Sequence, residues 1–137
     1  MYAQRNILFA DEAHKAFFTE LTQKLKPDAY LGSLIYTLGI CRDTRRNFDS
    51  IYDIGGRTII PDAIRQQWQT GSSLKVTRLA FQLFTDSTPT AFTRNAEHID
   101  ECKRYSVSDI FCCGFALFFV EAIKLRYPEF MLYRRGA

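Results

Sequence analysis

The sequence predicts an all-α single domain, a bundle of five to seven helices around a central apolar helix near the C-terminus. Three observations predict it. Apolar residues recur at intervals of three and four along most of the chain. Asp, Ser or Thr stands just before several of these stretches, where helix caps belong. The run 110–120 is apolar or small at all 11 positions, the signature of a helix surrounded by others rather than lying on a surface. With 137 residues, 47% hydrophobic and 15% aromatic, the chain has material for one core and is read as one domain over 1–137.

Taken in order, Asp11 is expected to cap a first helix whose inward face is His14, Phe17, Phe18, Leu21 and Leu25, closed by Lys24, Lys26 and Pro27. Asp28 starts a second, with Leu31, Leu34, Ile35 and Leu38 on one side and Gly39 as its end. The short Lys26-Pro27 connection makes the two an antiparallel pair. A third, short helix begins at Asp43 or Thr44 and continues through Phe48, Ile51 and Tyr52, with Arg42, Arg45 and Arg46 clustered opposite its apolar side. Gly55-Gly56 permits positive φ and suggests a small hairpin. Pro61 suits the first turn of a helix through Ala63, Ile64 and Trp68.

Ser72 or Ser73 is expected to cap the next helix, which runs to Phe84 and buries Val76, Ala80, Leu83 and Phe84 while Lys75, Arg78 and Gln82 line the other side. Turn formers at 85–90 read as a loop, and 95–103 as a further helix. Ser106-Val107-Ser108-Asp109 resembles a capping box opening the central helix, predicted over 106–127 and stopped by Pro128.

Composition and motifs exclude more functions than they suggest. A formal charge of +3 is too mild for a dedicated nucleic-acid domain. No apolar stretch reaches the roughly 18 residues of a membrane span, and the N-terminus lacks the apolar core of a secretory signal, so a cytoplasmic protein without membrane contact is expected. Cys41, Cys102, Cys112 and Cys113 form no CxxC pair and are read as free thiols. His98 and Cys102 lie four apart among Glu97, Asp100 and Glu101, but two ligands do not make a metal site, and none is assigned. His14 lacks a nucleophile with an orienting third group, and Glu121 has Lys124 at i+3 as a plain partner. Without a GxSxG, HExxH, phosphate-loop or dinucleotide motif, no catalytic residue and no cofactor is assigned.

The candidate site is the hydroxyl-rich turn Thr70-Gly71-Ser72-Ser73 and the basic residues that follow it. A helix start offers unpaired N–H groups and partial positive charge to an anion. Over 61–84 this resembles a helix-turn-helix, with Ser72, Ser73, Lys75, Arg78 and Gln82 facing a ligand. Arg42, Arg45 and Arg46 could add phosphate-gripping forks if they lie nearby. The plainer readings are an ordinary cap with a solvated face, and ion pairs from those arginines to Asp43 and Asp49.

Five motifs, Tyr36-Thr37-Leu38-Gly39-Ile40, Thr44-Arg45-Arg46-Asn47-Phe48, Ile51-Tyr52-Asp53, Trp68-Gln69-Thr70-Gly71-Ser72-Ser73 and Glu121-Ala122-Ile123-Lys124-Leu125-Arg126-Tyr127-Pro128-Glu129, resemble an uncharacterised family of small bacterial proteins carried on phages and other mobile elements. The resemblance implies a cytoplasmic single-domain protein in a mobile-element setting and transfers no catalytic residue or ligand. The function expected is that of a non-catalytic binding or regulatory protein recognising an anionic surface, nucleic acid among its candidates, through Arg42, Arg45, Arg46, Thr70, Gly71, Ser72, Ser73, Lys75 and Arg78. One alternative is a module that binds or inhibits a host or phage protein through aromatics such as Phe130 and Tyr133. Another is a nucleotide-sequestering protein using the 70–73 turn.

Overall fold

Two aspartate caps set the first layer, in a computed structural model that describes residues 6–131. The Asp11 carboxylate accepts from the His14 N–H at 2.8 Å and opens α1, Glu12–Leu25. Asp28 accepts from the Leu31 N–H at 2.9 Å and opens α2, Ala29–Gly39. Between them Lys26 takes a left-handed conformation, φ 48°, which ends α1 and turns the chain back. The close approach of the two helices needs Gly39, where a Cβ would lie 2.8 Å from both His14 Cδ2 and Phe17 Cδ2.

The third helix is interrupted. α3, Arg42–Arg46, and α4, Phe48–Ile51, meet at Asn47, whose amide donates to the Asp43 carbonyl and draws off a helical acceptor. The expected hairpin around Gly55-Gly56 is present, with β1, Tyr52–Asp53, pairing antiparallel to β2, Thr58–Ile59. Pro61–Arg65 is a 3-10 turn that stops before Trp68, because Gln66 turns extended at ψ 146°. α5, Gly71–Thr85, is the longest helix among the described residues. It is followed by α6, Asn95–Lys103, α7, Val107–Phe111, α8, Ala116–Arg126, and a last 3-10 turn, Pro128–Phe130.

The all-α class holds, but the centre of the bundle is not where the apolar run suggested. The helix predicted over 106–127 is two helices, broken at 112–115 where Cys112 leaves helical geometry at ψ 68°. Gly114 and the two cysteines are weak helix formers, so the break is inexpensive, and it lets Phe111 and Phe119 meet edge to face at 5.6 Å. α8 is peripheral on one side, with Leu117 63% and Val120 45% exposed. The buried rod is α2, whose residues from Gly32 to Gly39 are all inaccessible and which is flanked by α1, α5 and α8. Its small residues Gly32, Ser33, Thr37 and Gly39 permit that crowding, and the two hydroxyls satisfy themselves on Tyr30 and Ser33 carbonyls. None of the helices among the described residues is long and apolar enough to cross a membrane.

Candidate functional site

The Thr70 turn is a cap in full use. Thr70, not Ser72 or Ser73, is the N-cap of α5; its hydroxyl accepts from the Ser73 N–H at 3.1 Å while the Ser73 hydroxyl accepts from the Thr70 N–H at 2.7 Å. Ser73 is fully buried and also donates to Gln69 Oε1 at 2.6 Å. Thr70, Gly71 and Ser72 of this turn face solvent, with the Thr70 hydroxyl and N–H already committed to Ser73.

The basic stripe that follows is engaged too. Arg78 donates from Nε and Nη2 to the two Glu101 carboxylate oxygens at 2.7 and 2.9 Å, with side chains 14% and 7% exposed. The Lys75 ammonium donates to the Asp109 carbonyl. Both line a cleft of about 520 Å3 between α5, α6 and α7, but Glu97, Asp100, Glu101 and Asp109 line it as well. With Arg104 as the third cation, acids outnumber bases in that cleft. None of Arg42, Arg45 and Arg46 lines it.

Those three arginines also part company. Arg45 turns inward, donating to the Gly39 carbonyl at 2.7 Å and lying 3.9 Å from Asp11, so it caps the end of α2 instead of pairing with Asp43 or Asp49. Arg42 and Arg46 stay exposed.

The titratable groups raised by the sequence are likewise structural. His14 is fully buried; its Nδ1 accepts from the Ala10 N–H at 3.0 Å, which makes Nε2 the protonated nitrogen, donating to the Tyr36 carbonyl at 2.8 Å. Burial lowers its pKa to about 4 against the opposing pull of the Tyr36 carbonyl. Glu121 accepts from the Leu8 N–H at 2.9 Å and lies 3.8 Å from Lys124. His98 Nε2 is 3.7 Å from Cys102 Sγ on an exposed helix face, and no group of three or more His, Cys, Asp or Glu suited to a metal occurs among the described residues. All four cysteines are free thiols, Cys41 buried and Cys112 exposed. Phe130 is 76% exposed, whereas Tyr133 lies outside the described residues.

A second cleft, of about 590 Å3, was not foreseen. It lies where the end of α1, the start of α2, the hairpin and the end of α5 converge. Lys24, Lys26 and Arg57 line it, and none of them has an ion-pair partner among the described residues. Lys26 and Arg57 hold left-handed φ values of 48° and 55°, positions where Gly or Asn ordinarily sits. Asp28 is the single acid of the lining, and it is occupied as the cap of α2. Leu25, Leu31 and Phe84 make the walls.

Tyr52 completes this cleft. The residue is 3% exposed and packs edge to face on Phe84 at 5.4 Å, yet its hydroxyl has no hydrogen-bond partner among the described residues. The other buried tyrosines contrast with it: Tyr36 donates to the Leu8 carbonyl and Tyr105 to the Pro89 carbonyl, each at 2.6 Å. Burial raises the Tyr52 pKa, with Arg57 opposing. Lys24 and Lys26 were visible in the sequence only as helix-closing residues, and Arg57 as a loop residue. The signal for their convergence was the Gly55-Gly56 turn, which folds Arg57 back toward the α1–α2 junction.

The arrangement, buried rod, capped α5 and clefts included, involves nearly the whole chain, and so does the match to known families: residues 4–136 fit the model of a family of unknown function (DUF6075). The chain belongs to that family. The five sequence motifs that suggested a family resemblance all fall within the matched span. No curated protein and no solved structure matches the chain. Membership therefore brings no ligand with it, and the functional reading rests on the geometry above.

Proposed function

We propose that the protein is a non-catalytic binding or regulatory protein that recognises an anionic ligand, and that the contact is made at the cleft of Lys24, Lys26 and Arg57. The observation that carries the reading is the difference between the two clefts. Lys75 and Arg78 are already matched by a carbonyl and a buried carboxylate, so an incoming anion would have to break those bonds. The cations of the second cleft have no such partner among the described residues, and their tips cost little to desolvate against an anion. Nucleic acid stays a candidate through its phosphates, with the exposed Arg42 and Arg46 as the secondary contacts of the original set. The cytoplasmic, mobile-element setting implied by the sequence resemblance belongs to the same proposal.

Calorimetric titration with inorganic tripolyphosphate at low and high salt tests it. Binding is expected to weaken steeply with salt and to be lost in Lys24→Ala with Arg57→Asn, while Arg42→Ala with Arg46→Ala retains it. Loss in the Arg42/Arg46 variant alone moves the site to α3, and no binding at all removes the anion reading.

A second reading, a module that binds a host or phage protein, is favoured by the outward apolar face of α8 and by Phe130. It predicts a defined partner captured by the wild type and lost in Leu117→Asp with Phe130→Ser, independent of salt; a capture unchanged by both substitutions counts against it.

A further inference from the structure

Resting on the reading of this cleft as an anion site, we infer that its ligand is a nucleoside phosphate, whose phosphates lie on Lys24, Lys26 and Arg57 and whose base is held against the Tyr52–Phe84 wall. The cleft divides into two kinds of surface. One side carries three cations on two separate elements, enough for more than one phosphate charge. The other is apolar and partly aromatic, with Phe84 half-buried and Leu31 and Leu25 beside it. A bare inorganic anion would use only the first surface and leave the second in water. A flat base with a charged tail uses both, since bases stack and pack on aromatic and aliphatic side chains irrespective of sequence.

The Tyr52 hydroxyl supplies a third, independent pointer. The Tyr52 side chain is largely buried, but its hydroxyl, which has no hydrogen-bond partner among the described residues, is not sealed off from solvent, and the residue lines the cleft, so this donor and acceptor stays open to a ligand. Within the same lining as the cations and the apolar residues, it can donate to a phosphate oxygen or to a sugar hydroxyl. The 590 Å3 of the cleft lies inside the ~300–1,000 Å3 typical of small-molecule sites. A duplex would ask instead for a long cationic surface, and the remaining free arginines of the sequence-predicted set, Arg42 and Arg46, do not line this cleft. The nucleotide site expected at the 70–73 turn is thus replaced by one at the α1–α2 junction.

Calorimetry with ATP, inorganic tripolyphosphate and adenosine decides the matter. ATP is expected to bind at least tenfold more tightly than tripolyphosphate, with adenosine showing no measurable binding. Tyr52→Phe is expected to weaken ATP about tenfold and tripolyphosphate less, at an unchanged melting temperature, because no protein hydrogen bond is lost. Arg57→Asn, a substitution that suits the left-handed backbone there, should weaken both phosphates. If tripolyphosphate binds as well as ATP, the nucleoside part of the inference falls while the anion reading stands. If neither binds, both fall, and adenosine binding as tightly as ATP overturns the role given to the three cations.

Discussion

At the scale of single residues, the charged and polar side chains that the fold buries are the ones holding elements together. His14 links the segment before α1 to the middle of α2 through both ring nitrogens, an arrangement open only to the neutral ring. With its pKa at about 4 in the fold and 6.5 in the unfolded chain, the unfolded state takes up the proton first as pH falls. Stability from His14 is therefore complete above about pH 6.5 and is lost as pH drops toward 4, by about 2 kcal/mol at pH 5. Urea unfolding of wild type and His14→Gln at pH 7.5 and 5 should show this extra loss in the wild type alone; parallel losses would remove the assignment. Arg126 plays the same part at the other end. Its Nε donates to the Leu83 carbonyl at 2.8 Å, its Nη2 reaches Asp86 at 3.0 Å, and its guanidinium lies 3.5 Å from the centre of the Tyr30 ring. A lysine reproduces the charge but not the fork or the stack, so Arg126→Lys should cost about 2–3 kcal/mol in a denaturant melt. Asp11, Asp28 and His14 were legible in the sequence because capping and helical spacing are local. Arg126 was not, since Leu83 and Asp86 lie 43 and 40 residues away along the chain and Tyr30 farther still.

Among elements, α2 and α6 are the extremes. α2 is covered along most of its length, whereas Glu101 is the one buried residue of α6 and Ile99 remains 46% exposed. α6 is thus fastened to α5 by a two-pronged ion pair more than by apolar packing. Hydrogen exchange should find the α6 amides opening sub-globally while those of α2 exchange only with global unfolding, and Glu101→Gln should speed α6 without speeding α2. Equal protection of the two helices would contradict this. The same contrast explains where periodicity succeeded. α1, α2, α5 and α6 were readable from caps and spacing, but an unbroken apolar run contains no instruction about where a helix bends. The run 110–120 consequently looked like one rod, although Cys112 and Gly114 divide it and half of α8 faces outward. Engagement of the basic stripe was hidden for a related reason: Lys75 and Arg78 do lie on the polar side of α5, but they are met there by Asp109 of α7 and Glu101 of α6.

On the scale of the whole molecule, one core joins α1, α2, α5 and α8, with the hairpin and the short helices closing its ends. Far-ultraviolet circular dichroism and Trp68 fluorescence should therefore report a single coincident unfolding transition; two resolved transitions would mean that the ends fold apart from the rod. The helical class, most cap positions, the Gly55-Gly56 hairpin and the family were determined by the sequence alone, because each depends on residues within a few positions of one another or on the pattern of the whole string. Which helix lies at the centre, which cations are neutralised and which are left over were decided only in three dimensions. Burial and ion pairing are set by partners distant along the chain: Glu101 reaches Arg78 across 23 residues, while the turn at Gly55-Gly56 carries Arg57 to the cleft of Lys24 and Lys26, where none of the three has an ion-pair partner among the described residues.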